Sequence, residues 1–330
     1  MKNFEYAAPR TTAEALALLS PDLGVTEILA GGTDLVGLMK KMIITPDRVV
    51  NIMEIPSLKQ LERQADGSLV IGATVTLDEL VDHPYLDDYP GLRLAIRGIN
   101  SMQYQCQGTI GGEILQRPQC WFFRDGEGLL AAAGKLVEEG DNRFHAIFGN
   151  AGAAKFVNSS RTAPALIALN AHVKIQGPEA QHEELVPLAD FYRVPRHERQ
   201  RETILAPNQL LTQIVLPPSS GISSASYEVR HGEGADYPLA AAAAALQMES
   251  GIVREARIVL GQVAPTPWPA SAAAALLIGR RLDNNVADEV GDAAVAHATP
   301  LSQNSYKLQL AKVAVKRALL MAAGLPTGGF

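Results

Sequence analysis

The sequence predicts an α+β protein built from several small units, and three observations carry that expectation. Helix-start signatures alternate with short apolar runs of strand length along the first half of the chain. A Pro-, Ser- and Gly-rich stretch, Pro217 to Ser224, sets off a C-terminal part with its own strand and helix patterns. Neither the GxGxxG opening of a Rossmann fold nor a GxxxxGK phosphate loop is present.

In order along the chain, Thr11 with Glu14 starts a helix that Ala15, Leu18 and Leu19 continue at helical spacing. Glu27 to Ala30 reads as a buried strand running into Gly31-Gly32-Thr33-Asp34. Leu35, Leu38, Met39 and Met42 then follow helical spacing, so the glycines lie on a strand-to-helix turn. Arg48 to Ile52 is the next strand, and a subdomain boundary is expected near residue 55. Leu69 to Ala73 reads as a strand before a second capping box, Thr76 with Glu79, and Leu92 to Ile99 as a helix before a polar stretch, Asn100 to Gln107. Residues 117–158 show no sustained period and read as a structured insertion. Beyond it, Pro164 to Leu169 is expected as a helix, and His172 to Ile175 and Leu210 to Leu216 as strands. In the C-terminal part an Ala-rich helix from Pro238 to Gln247, a strand from Ala256 to Leu260 and a final helix from Ser305 to Ala323 are expected. The domain division is therefore 1–222, comprising 1–55 and 56–222, followed by 223–330.

Composition excludes several classes. Charged residues make up 19% and hydrophobic ones 47% of 330, the profile of a globular protein with buried cores. A net charge of −6 without any Lys or Arg run leaves no footprint for nucleic acid. The Ala-rich stretch Leu239 to Leu246 is too short to span a bilayer, so membrane insertion is not expected. The N-terminal residues carry no export signature, which points to the cytoplasm. Two cysteines, Cys106 and Cys120, cannot supply the four thiolates of an iron–sulfur cluster, and the seven histidines show no ligand spacing; no metal site is expected.

What remains as chemistry is two glycine pairs, Gly31-Gly32 and Gly111-Gly112, 80 residues apart. Glycine reaches positive φ and lacks a Cβ, so successive N–H groups can converge on an anion. Two such loops can cradle one diphosphate; equally, an isolated Gly-Gly pair can be a tight turn that binds nothing.

A resemblance favours the first reading. Ile28 to Leu35 and Gly108-Thr109-Ile110-Gly111-Gly112 resemble the two flavin-binding signatures of the medium subunit of molybdenum hydroxylases. This family includes carbon monoxide dehydrogenase, 4-hydroxybenzoyl-CoA reductase and xanthine dehydrogenase. Ile71 to Thr76, Ala163 to Leu169, Asp236 to Ala240 and Gly261 to Pro267 resemble further family elements in family order, so the similarity covers essentially the whole chain.

The resemblance implies a p-cresol methylhydroxylase-type FAD-binding fold of two α+β subdomains, followed by a C-terminal domain of the CO dehydrogenase flavoprotein type. It implies FAD as cofactor, with molybdopterin on a large partner subunit, [2Fe–2S] clusters on a small one and an external electron acceptor. Leu29, Ala30, Gly31, Gly32, Thr33, Asp34, Gly108, Thr109, Ile110, Gly111 and Gly112 are the implied ligand residues. Leu211 matches a position where relatives place an apolar side chain near the flavin; core packing in a strand explains it as well. No catalytic side chain is nominated, because the flavin carries the redox chemistry.

The chain departs from the family pattern in three places. Glu113 stands where relatives have Asn, and Arg161 where they have Asp, so Arg161 is expected to neutralise Glu113 beside the cofactor. A subset of relatives carries an extra [4Fe–4S] cluster on an insertion at residues 117–158; here only Cys120 remains, and no such cluster is expected. An alternative reading is a scaffold subunit of the same complex that has lost FAD; another is a free-standing flavoenzyme, for which no acid or base candidate stands out.

Overall fold

The computed structural model describes residues 1–232 and 234–328. Strands β1 (Glu5–Ala7), β2 (Thr26–Leu29) and β3 (Arg48–Asn51) form a parallel sheet in the order β1-β3-β2. The connection from β1 to β2 is the helix Thr12–Leu18, which begins where the Thr11 hydroxyl accepts from the Glu14 N–H at 3.1 Å. Ala15, Leu16, Val50 and Ile52 bury the sheet's inner side, and Leu210 from a later strand completes this small core.

The second sheet is antiparallel throughout. It contains β4 (Leu61–Arg63), β5 (Leu69–Gly72), β6 (His172–Gln176), β7 (Glu183–Pro187) and β8 (Leu210–Leu216), in the order β4-β5-β8-β6-β7. Its core also takes in the helices Leu77–Val81, Pro90–Arg97 and Ala163–Ala168, through residues such as Leu80, Leu92, Ile96 and Leu166. The Thr76–Glu79 capping box is present in full, with Thr76 N–H donating to Glu79 at 2.8 Å.

The third sheet comprises β9 (Ile222–Val229), β10 (Ala240–Glu249), β11 (Ile252–Gly261) and β12 (Trp268–Pro269), in the order β12-β11-β10-β9. Here one expectation fails: the segment from Pro238 to Gln247 is no helix, because Ala240 to Glu249 forms the strand β10 between β9 and β11. Alanine's helix preference is worth only tenths of a kcal/mol per residue over most alternatives, roughly what one well-buried contact offsets. Ala242, Ala244 and Leu246 face a core shared with the C-terminal helix Lys307–Ala322, while Ala243 and Ala245 face the core of the second sheet. Small side chains on both sides are what let helices close on this strand from two directions.

Other differences are local. The polar stretch before the second glycine pair contains a short helix, Met102–Gln107, capped by Ser101. Ser223 and Ser224 already belong to β9, so the connecting segment is shorter than Pro217 to Ser224. The strands β1 and β7 and the helix Asn284–Val295 had no sequence expectation. The insertion 117–158 holds short helices at Trp121–Arg124 and Lys135–Glu139, and Ala131, Ala132 and Ala133 run left-handed (φ 47°, 55° and 58°) into Gly134. Phe123, Leu129, Leu130 and Phe156 form its core, and Leu38 from outside the insertion completes it. Among the described residues no helix is long and apolar enough to cross a membrane.

Candidate functional site

The two glycine turns touch each other. A Cβ built on Gly31 would lie 1.6 Å from the Gln107 carbonyl oxygen and 3.3 Å from the Gly108 Cα, so only glycine permits this approach. Gly32 is required for another reason, its φ of +72°. Gly111 sits against β5's end, where a Cβ would meet the Ala73 carbonyl oxygen at 2.7 Å.

One cavity opens beside the joined turns. Ala30, Gly31, Gly32, Thr33 and Asp34 line it from one side, Thr109, Gly111 and Gly112 from the other, and Leu211 from β8. Of the remaining sequence candidates, Leu29, Gly108 and Ile110 stand behind this surface: Leu29 packs on Gly32, Gly108 lies against Gly31, and Ile110 is fully buried. Leu211 is 4% exposed and belongs to the second sheet's core, so its packing and lining roles coexist.

The amide groups of the two turns differ. No acceptor among the described residues takes the N–H groups of Gly31, Gly32, Thr33, Asp34 or Leu35; the nearest helical bond begins with Val36 N–H to Gly32 O. In the second turn Ile110 N–H goes to Val75 O, Gly111 N–H to Ala73 O, Gly112 N–H to the Thr109 hydroxyl and Glu113 N–H to Thr109 O. The second pair thus opens a short helix, Ile110–Ile114, and its amides are internally satisfied. Both turns were expected to offer amides to one anion; the second has none left to offer, and among the described residues the first has. The helix behind that turn, Leu35–Lys40, has six residues, so the free donors matter more than any macrodipole. Thr33, exposed, does not cap it; the N-cap position is Asp34, whose side chain turns elsewhere.

Glu113 and Arg161 are not cavity residues, and their side chains form no direct ion pair. The Arg161 guanidinium pairs with Glu228 of β9 (2.8 Å) with both side chains under 10% exposed, while its backbone N–H donates to the Glu113 carboxylate at 2.5 Å. Burial pushes the Glu113 carboxyl up to about 7, against the lowering effect of the Arg161 N–H and charge. Near neutral pH this carboxyl is close to half protonated, and it packs behind the turn rather than lining the cavity. Burial also raises the neighbouring Tyr192 and Tyr237 hydroxyls.

Apart from Asp34, sequence reasoning missed the cavity's charged residues. Glu27 pairs with Arg201, and Glu202 with Arg117 (2.8 Å); all four line the cavity. Asp34 pairs with Arg124 at 2.7 Å and accepts from the Arg117 N–H at 2.9 Å. Pairs separated by some 85 to 174 positions leave no spacing signal. Gln116, another lining residue, donates to the Tyr237 hydroxyl and keeps a buried Oε1 that has no partner among the described residues. In the insertion the Cys120 thiol lies 3.1 Å from His145 Nε2, and burial raises its pKa, which makes it a poor nucleophile.

Five unspent amide donors, an orphaned side-chain acceptor and apolar walls from Leu35, Leu38, Ile52 and Leu205 suit an elongated ligand with an anionic centre and a large apolar part. Fold and site together define a cofactor-binding protein whose cavity is lined by one turn with amide donors to spare and walled by another whose amides are already paired.

Comparison with known proteins makes the class specific. The family model for the FAD binding domain in molybdopterin dehydrogenase matches residues 2–219, and that for the CO dehydrogenase flavoprotein C-terminal domain matches residues 225–322. The chain is 34% identical over 317 residues to the aldehyde oxidoreductase FAD-binding subunit PaoB of Escherichia coli, covering 94% of this chain and 96% of that one. It is 27% identical to the carbon monoxide dehydrogenase medium chain of Hydrogenophaga pseudoflava, with 96% of each covered. A chain in the solved structure of carbon monoxide dehydrogenase from the same organism superposes with a TM-score of 0.77 at 27% identity, covering 98% of both. The chain belongs to the family of FAD-binding subunits of molybdopterin dehydrogenases, oxidoreductases whose medium subunit has FAD as its cofactor.

Proposed function

We propose that this chain is the electron-transferring flavin subunit of a cytoplasmic heterotrimer, receiving electrons from [2Fe–2S] clusters on a small subunit after a molybdopterin-bearing large subunit has oxidised the substrate. The observation that carries the reading is the contact of Gly31 with Gln107, which brings five free amides and a closed wall to one cavity. FAD, when bound, supplies the ability to accept an electron pair and to pass it to an external acceptor.

The chain's own residues bind and orient. Gly31 to Asp34 would present N–H donors to the diphosphate, Thr109, Gly111 and Gly112 would set the distance of closest approach, and Leu211 would pack on the apolar part. Leu29, Gly108 and Ile110 would hold those residues in place, and Glu113 and Arg161 would tie the second turn to β9. We place the domain division at 222/223, at the start of β9, whose first residue is Ile222. Glu113 and Arg161 together motivate the reading of a scaffold that has lost FAD; that neither lines the cavity supports the FAD-loaded reading.

The test is flavin bleaching. The complex purified with its two partner subunits is expected to lose its flavin absorbance when substrate is added without acceptor, and the isolated chain, carrying FAD, is expected to stay oxidised. A full complex without flavin, or an isolated chain that bleaches with substrate alone, would overturn the assignment.

A further inference from the structure

Three carboxylates, Glu27, Asp34 and Glu202, line the cavity, but only two guanidiniums do, Arg117 and Arg201. These two answer Glu202 and Glu27. The remaining carboxylate, Asp34, belongs to the same residue as one of the five free amide donors, where an unbalanced charge would oppose a diphosphate directly. Its partner comes from behind the cavity wall: Arg124, on the insertion's first helix, meets Asp34 at 2.7 Å with both side chains 16–17% exposed. Arg124 is itself fixed, its Nε donating to the Pro118 carbonyl at 2.8 Å, its second terminal nitrogen to the Arg117 carbonyl at 2.9 Å, and its charge lying 5.7 Å from the Phe123 ring centre. Two more ties bind the insertion to the helix after the glycine turn: Lys41 reaches the Arg124 carbonyl and Asp125, and Leu38 inserts into the insertion's own core.

Building on the FAD reading above, we propose that Arg124 is a positioning residue for the diphosphate site, cancelling the Asp34 charge from behind, and that the insertion 117–158 serves as the brace that holds it there. A half-buried ion pair next to a doubly anionic group is where a missing partner charge is felt most, because solvent screens it poorly. The insertion then has a function in this chain that needs no bound cluster.

The test is FAD titration of the flavin-stripped full chain by fluorescence, with thermal unfolding of the ligand-free protein as the folding check. Arg124→Gln is expected to raise the FAD Kd by about tenfold or more, since it strands a carboxylate beside the anion. Adding Asp34→Asn to that variant is expected to return the Kd to within about threefold of wild type, because the neutral pair no longer repels. Asp34→Asn alone, which keeps an acceptor for the Arg117 N–H, is expected to bind FAD no more weakly than wild type. An Arg124→Gln chain that binds like wild type, a double variant no tighter than Arg124→Gln, or an Asp34→Asn chain that binds more weakly than wild type would each overturn the proposal. Failure of the wild-type chain to bind FAD would instead sink the functional reading on which it rests.

Discussion

The Gly31-Gly32 turn and the Gly111-Gly112 turn face one cavity, yet glycine serves different ends in them. In the first, positive φ at Gly32 and the absence of a Cβ at Gly31 leave a run of N–H groups unspent. In the second, the amides are consumed by Val75, Ala73 and Thr109, and the lack of a Cβ at Gly111 simply lets the segment lie on β5's end. A doubled glycine is therefore ambiguous as a motif: it can provide donors or it can provide proximity, and only the hydrogen bonds of the neighbours tell which. Recognition of the ligand should rest mainly on the first turn and integrity of the fold on the second.

Substitutions at the glycines should separate the two roles. Gly31→Ala forces the turns apart, and FAD affinity is expected to fall by about a hundredfold, the upper end of what overpacking costs, as read by fluorescence titration. Gly111→Ala should instead cost about 2–3 kcal/mol in urea unfolding, while FAD affinity per folded molecule changes by less than about threefold. The reverse pattern, affinity lost at Gly111 and stability lost at Gly31, would break the comparison.

Glu113 sharpens it through pH. Its folded pKa of about 7 lies above the unfolded value of 4.5, so its contribution is fully present below pH 4.5 and is lost as pH rises through 7. His145, held down to about 4 by burial, has the opposite slope between 4 and 6.5, so the wild-type curve alone mixes the two. Subtracting the curve of Glu113→Gln isolates the effect: the variant should match wild type near pH 4.5 and exceed it by about 3 kcal/mol near pH 8. FAD affinity should scarcely change; a large change would put the carboxyl back among the ligand contacts. The smallest effect is expected for Thr109→Ala, which removes the cap of the helix Ile110–Ile114 and the partner of Gly112 N–H, at about 1 kcal/mol of stability.

The glycine turns and the capping box at Thr76 were legible because few residue types can do what those positions require. The strand-to-helix turn at Gly31 and the strand at Leu210 to Leu216 follow from local periodicity. Strand β10 was illegible for the converse reason, since alanine tolerates either conformation and the deciding fact is what packs on both sides. Arg161 was misassigned because the nearest acid by family position, Glu113, is not the acid its guanidinium meets; Glu228 lies 67 positions downstream. Asp34 was named as a candidate, but its partner Arg124 is 90 residues away on a segment without period, and nothing local joins them.

The six consecutive alanines of β10, enclosed from both sides, also constrain what this subunit can become. Greasiness is no substitute for slenderness there: valine or leucine would wedge two layers apart, so a mutational library over Ala240 to Ala245 should return little besides alanine, glycine and serine. Variation that adapts the molecule to new neighbours has to accumulate on its outside, around a central seam that admits almost no change.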